Sequence, residues 1–203
     1  MNDLTTDGYV GPENETTSDD LFNALSFLVN QIISGKWTVT LGQVKSVTGG
    51  GVAAPPLVSV QPMVSQTDGQ GKPTPHGIIN NVPAFRLQGG TGAIIADPVV
   101  GDIGLLACAM SDISAVKQTL APANPGSFRT FSPSDAMYFG ALLGAGPKQF
   151  IQLTPTAIII SAGTTTVTIN YNGTIVINST ALITIESAGG VTLKGSVGVF
   201  NVT

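Results

Sequence analysis

The apolar positions of this chain follow three periods in turn. Between residues 18 and 35 they recur every three or four positions, as Leu21, Phe22, Leu25, Leu28, Val29, Ile32 and Ile33. That spacing predicts an amphipathic helix. Ser18 is placed to cap its first turn, Asp19 and Asp20 suit its positive end, and Gly35 stops it. Such a stripe ordinarily faces a core. The alternative is docking onto a larger assembly, with Leu21, Phe22, Leu25 and Leu28 as the contact residues. Residues 1–36 are therefore expected to be an acidic arm followed by an N-terminal helix.

From residue 37 to 120 the period falls to two. Thr38–Leu41 and Val44–Val47 alternate with a break at Gly42, and Leu57–Gln61 alternates up to Pro62. A polar loop at 68–75 precedes His76, and short apolar segments separated by Gly and Pro lead to the apolar run Gly104–Met110. Five or so short strands in this stretch suggest a small barrel. Residues 121–150 are Pro-rich and read as an irregular connector, with Ser134–Leu142 as a further strand or short helix.

The third regime begins at Ile151. Apolar-x-apolar pairs stand at Ile158/Ile160, Val167/Ile169, Ile175/Ile177, Ile183/Ile185 and Val191/Leu193, with Val199 next in the series. After a first step of nine, the spacing is eight. Each unit is a strand of about five residues and a turn of about three, with both members of a pair on one face. One chain cannot enclose a core with so few groups. Three chains around one axis can, so these ten residues are the expected trimer core of a rod over residues 151–203. The apex would fall at Val199, Phe200, Asn201, Val202 and Thr203. The expected fold is thus all-β: an N-terminal helix, a small barrel, then a triple-stranded, intertwined β-helix.

Composition adds one constraint. The 203 residues are 42% hydrophobic and only 10% charged, well below the charge of an ordinary soluble domain. Burial between identical subunits is the simplest way to cover such a surface. Twelve acidic and eight basic residues give a net charge of −4, and no Lys/Arg cluster exists, which argues against nucleic acid as a partner. Six of the acids lie in the first twenty residues, where an export signal would carry bases, so no export signal is expected.

Candidate chemistry is sparse. Cys108 is the single cysteine and His76 the single histidine, in separate segments, which leaves a thiol nucleophile without a base in its own segment. Outside the acidic arm the carboxylates are Asp68, Asp97, Asp102, Asp112, Asp135 and Glu186. Asp97 and Asp102 sit beside Pro or Gly, where Asp shapes a turn. No metal-ligating cluster is visible. The expectation is a protein without a catalytic site, metal or cofactor.

Several segments resemble the membrane-puncturing central spikes of contractile phage tail and bacteriocin baseplates. They are Gly42–Val47, Val58–Val64, Ile79–Pro83 and Asp97–Ala107, the last with a Pro-x-x-Gly-Asp turn before an apolar strand. The resemblance covers about residues 20–120 and implies an OB-type barrel; the repeat after residue 150 is similar to that family's β-helix. It implies a homotrimer in the virion, assembled in the host cytoplasm. A tail hub or baseplate protein would sit at its N-terminal side, and it would meet the bacterial outer membrane transiently. Such spikes often end in a His-x-His iron tip. This chain ends Gly195–Thr203 without one, so no iron is expected, and either apolar packing or a separate capping protein closes the tip. The alternative functions are a tail-fibre-like adhesin and an OB-type saccharide or oligonucleotide binder.

Overall fold

A computed structural model describes residues 21–67 and 71–190. The acidic arm, the Ser18 cap, Val191, Leu193 and the apex residues Val199–Thr203 lie outside the described residues. The chain is mostly β, 41% strand against 14% helical, with one N-terminal helix and several sheets. It divides into two compact units, Met1–Gly144 and Ala145–Thr203.

The first unit opens with helix α1 (Leu21–Ser34). Strands β1 (Val39–Thr48), β2 (Leu57–Pro62), β3 (Gln66–Thr67), β4 (Pro73–Thr74), β5 (Ile79–Pro83), β6 (Leu87–Gly89), β7 (Gly92–Ile94) and β8 (Ile103–Cys108) follow. Then come the short helix α2 (Ser114–Thr119), a 3-10 turn at Pro133–Asp135 and strand β9 (Ala136–Leu143). The strands β3–β4 and β6–β7 form two small hairpins. The main sheet runs β5-β2-β1-β8-β9. Its two edges also meet: Ala84 and Tyr138 form a parallel bridge, and Phe85 N donates to Tyr138 O at 2.7 Å. That bridge closes the sheet into a five-stranded barrel.

The barrel interior follows strand alternation. Val44, Val58, Val60, Val82, Ala84, Leu106, Ala136 and Tyr138 are buried, with Val47, Ile79 and Cys108 packed at the margin. Space is tight enough that side chains are excluded at two points. Gly42 and Gly104 face each other across β1 and β8. A Cβ on Gly42 would stand 2.6 Å from Leu106 Cδ1 and overlap Val60; one on Gly104 would overlap the Gly140 carbonyl and stand 2.5 Å from the Tyr138 ring. The expected break at Gly42 is therefore absent: β1 continues through it, and the glycine marks a close approach rather than a turn.

A second correction concerns the barrel's end. It does not stop at residue 120, because β9 is its fifth strand and lies within the expected connector 121–150. Ser134–Leu142 is expected above as a further strand or short helix of that connector, and the structure makes its strand part of the barrel; the Pro-rich segment ahead of β9 is held in place by charge. Arg129 Nε donates to Asp135 Oδ2 at 2.7 Å and its Nη2 to Asp112 Oδ1 at 2.9 Å. Both carboxylates are buried. Asp112 also accepts from Ser127 Oγ at 2.7 Å and from Ser114 N at 2.8 Å. The loop that carries β9 back beside β8 is thus stapled by one guanidinium between two carboxylates.

The second unit contains strands β10 (Gln149–Leu153), β11 (Ala157–Ala162), β12 (Thr165–Asn170) and β13 (Ile175–Asn178). They form one antiparallel meander in chain order. Tight turns at Gly163 (φ 63°) and Gly173 (φ 87°) reverse the chain, in the left-handed region where glycine avoids a Cβ penalty. The strands thus pair with their own sequence neighbours within a single chain.

Candidate functional site

One organised surface feature of the described residues is a face of the β10–β13 sheet. Its register sets Leu153 opposite Ile158, Ile158 opposite Ile169, and Ile169 opposite Ile175. A parallel row sets Ile151 opposite Ile160, Ile160 opposite Val167, and Val167 opposite Ile177. Directly opposed residues share a face. The doublets therefore become two rungs of four aliphatic side chains on one side of the sheet. The other side carries mostly Gln152, Ser161, Thr166, Thr168 and Asn178, with Phe150, Ile159 and Val176 among them.

These rungs are not covered within the described chain. Ile158 and Ile169 are 40% exposed, Ile160 44%, Ile177 53% and Ile175 66%; only Val167 is half-buried. The structure thus places six of the ten expected core residues on one open apolar face. Ile183 and Ile185 are exposed and belong to no strand, so the fourth expected unit is not a strand of this sheet. Its segment, Ser179–Gly190, makes no ladder bonds that would fix alternation. Two further members, Ile151 and Leu153, were missed. Their apolar-x-apolar spacing was visible, but they precede Ile158 by seven residues and so fell outside the period of eight.

Helix α1 presents a second uncovered apolar surface. None of its side chains is buried. Leu21 is 73% exposed, Phe22 72%, Leu25 51% and Leu28 54%. The reading of this stripe as core is thereby overturned: the helix has no layer among the described residues to pack against.

Elsewhere the polar groups serve the barrel. Arg86, whose side chain is almost fully buried, donates through Nη2 to Asp97 Oδ1 at 2.7 Å and to the Ala54 carbonyl at 2.9 Å. Asp97 also accepts from Gly51 N at 2.6 Å, and this bond, with the Arg86 guanidinium, holds its carboxyl below the usual carboxylate range. Asp97 is therefore a long-range tie rather than the turn former expected. Asp102 does shape its turn, accepting from Val99 N at 2.9 Å. Hydrogen bonds from Ser114 and Ser127 hold the Asp112 carboxyl down to about 2. The Arg129 guanidinium does the same in direction for Asp135. Desolvation raises the Cys108 thiol and pushes the Tyr138 hydroxyl up to about 12.

His76 stacks edge-to-face on Trp37 with ring centroids 4.6 Å apart, and its Nδ1 lies 2.8 Å from Gln66 Nε2. Shallow pockets of about 210 and 340 Å³ lie on either side of this pair, bounded by Val39 and Val64 and by Ile78 and Pro133 respectively. Neither brings Cys108 to His76. Among the described residues no three His, Cys, Asp or Glu side chains are grouped to hold a metal ion, and no helix is long and apolar enough to cross a membrane. Compared with models of known protein families and with curated proteins, the sequence matches none.

Proposed function

We propose that this chain is the homotrimeric central spike of a contractile, phage-type tail baseplate, driven through the bacterial outer membrane on contraction. One observation carries the reading: the β10–β13 sheet lays eight aliphatic side chains in two straight rungs on a face that its own described chain leaves open. Each such side chain stabilises by about 1.5–3 kcal/mol when it goes from full exposure to full burial. These are already partly covered, so the gain per residue is smaller, but it is repeated in every copy. Three sheets turned inward give a three-sided prism with an apolar interior and a Thr-, Ser- and Asn-rich exterior. The intertwined β-helix expected from sequence is thus recast, for the described strands, as three meanders sharing one core. The near absence of charge beyond residue 150 suits a narrow rod that slides past lipid.

The five-stranded closed barrel supports the OB-type reading of the first unit. In this reading the barrel and α1 couple the protein to the tail hub. The mechanical role needs no catalytic residue, metal or cofactor. A rod whose core is shared by three chains cannot lose one strand without opening the others, so it resists unfolding under load.

The test is the mass of the full chain in solution by sedimentation equilibrium. About three times the 20.7 kDa chain mass is expected. A monomer over the micromolar range overturns the reading.

The saccharide-binding alternative has one feature in its favour, the Trp37–His76 pair between two pockets. Trp37 is the single tryptophan, so its fluorescence reports directly on that surface. Saturable quenching by an oligosaccharide would favour this class.

A further inference from the structure

Strand β13 ends its sheet with an uncovered edge. Asn170 N donates to Thr174 O at 2.8 Å across the turn of the β12–β13 hairpin. Bonds alternate along an antiparallel ladder, so Thr168 with Val176 and Thr166 with Asn178 are the hydrogen-bonded pairs that follow. The N–H and C=O groups of Ile175 and Ile177 therefore point away from β12, and no described strand pairs with β13 on that side. Sheet edges are ordinarily protected by a charge, a proline or a covering segment. Ile175–Asn178 has neither of the first two.

The residues that come next along the chain match that edge. Five residues separate Ile169 from its partner Ile175, and the hairpin turns at residues 171–173. Five also separate Ile177 from Ile183. A turn of the same length at residues 179–181 sets Ile183 opposite Ile177 and Ile185 opposite Ile175, which extends both aliphatic rungs by one member. The chain has already begun to turn there. Ala181 N donates to Ser179 Oγ at 3.2 Å, and Thr180 Oγ1 donates to Thr164 Oγ1 at 3.0 Å, beside the turn at Gly163. In this register Glu186 falls on the polar face and puts a charge on the new edge.

We propose that in the assembled protein residues 182–186 add to β13 of their own chain as a fifth strand. This strand rests on the trimeric reading above, which supplies the cover it needs. In the open chain Ile183 and Ile185 gain only cross-strand contacts, too little to offset the ordering of the segment. Burial of both against sister sheets adds the larger hydrophobic contribution. The balance accounts for the segment in the single chain, where it makes no ladder and Ile183 is 47% exposed and Ile185 67%. The three-residue connection keeps the segment beside its own edge at high effective concentration, which favours that edge over a sister's.

A cross-strand disulfide in the full chain tests this. In the proposed register Val176 and Thr184 oppose each other on the polar face as a non-hydrogen-bonded pair, the kind whose side chains stand closest. Leu182 lies two residues off that register. Val176→Cys/Thr184→Cys and Val176→Cys/Leu182→Cys are compared under mild oxidation, with the parent protein, which carries Cys108 alone, as the blank. Sedimentation of each reduced variant gives its oligomeric state, and non-reducing gels separate bonds within a chain from bonds between chains. The expected result is a trimer in which the Thr184 pair closes within the chain at least about tenfold faster than the Leu182 pair, because only that pair is held face to face. A trimer in which the Leu182 pair closes as fast or faster, in which neither pair closes, or in which the bond forms between chains overturns the fifth strand and leaves the spike reading standing. A reduced monomer overturns both.

Discussion

The barrel and the C-terminal sheet are built from similar material with opposite outcomes. Both use short antiparallel strands rich in Val, Ile, Leu and Thr. In the barrel, the sheet bends until β9 meets the segment after β5, and Val44, Val58, Val60 and Leu106 end with no more than 1% exposure. In the sheet of β10–β13, two-residue alternation is just as regular, yet no described strand returns to close it. The isoleucines of its aliphatic face stay 40–66% exposed. What separates the two is connectivity. The barrel has Gly42 and Gly104 where strands must crowd, and a long stapled loop that carries the fifth strand across. The meander has only tight turns, which add strands side by side and cannot fold the sheet over itself. The closed unit covers its own apolar side chains; the open one leaves its aliphatic face exposed.

The largest effect that should separate them comes from a charge on the open face. Ile160→Asp places a carboxylate in the middle of a rung, and in the proposed trimer three of them would come together. Desolvating unpaired like charges costs several kcal/mol. Sedimentation should show a monomer under conditions where the parent is a trimer, while near-ultraviolet circular dichroism of the barrel is retained. A trimer that survives this change removes the face from the interface.

Gly104→Ala tests the other unit. Its new methyl meets the Gly140 carbonyl and the Tyr138 ring, neither of which can yield freely. Overpacking of this kind typically costs about 1–3 kcal/mol. Denaturant unfolding followed at Trp37 should shift by that amount.

Acid should act on the barrel selectively. Asp97, Asp112 and Asp135 titrate below the ordinary carboxylate range when folded. Their unfolded counterparts titrate near 4. The unfolded chain therefore binds protons first as pH falls. The stabilisation these groups give is complete above about pH 4 and is lost toward the folded value, about 2 for Asp112. The described strands of the C-terminal sheet contain no titratable carboxylate. Trp37 fluorescence should report unfolding between about pH 4 and 2, and a barrel unchanged at the lower end of that range would contradict the role given to the Arg129 staple.

The smallest expected effect is a gain. The Tyr138 hydroxyl is buried without a hydrogen-bond partner. Tyr138→Phe removes that desolvation penalty and keeps the ring against Gly104, so stability should hold or rise by up to about 1 kcal/mol. A clear loss would mean that the hydroxyl has a partner.

Much of this division was legible in the sequence, and for a physical reason. Alternation and turn residues are local, so the strands around Val58 and Leu106, and doublets such as Val167/Ile169, could be read directly. Closure is not local. Nothing near Ala136 announces that it pairs with Cys108 across a Pro-rich loop, because the bond that arranges it runs from Arg129 to Asp112 and Asp135. Gly42 misled for a related reason: a glycine in a strand looks like a break until the side chain that fills its place, Leu106, is known. The α1 stripe showed that the helix needed a neighbour but not whether the chain supplies one. The doublets likewise identified the apolar face, while their pairing within one chain emerged only from the register.

That register also sets a gauge. Neighbouring strands stand about 4.8 Å apart, so each added strand-and-turn of roughly eight residues lengthens the stack by that step. An antiparallel meander leaves on alternate sides, so only a pair of such steps, about sixteen residues and about 9.6 Å, returns the exit to the side where it began. The length of this sheet would change by whole hairpins, and the gain or loss of a single residue within a strand would turn its aliphatic residues to the other face.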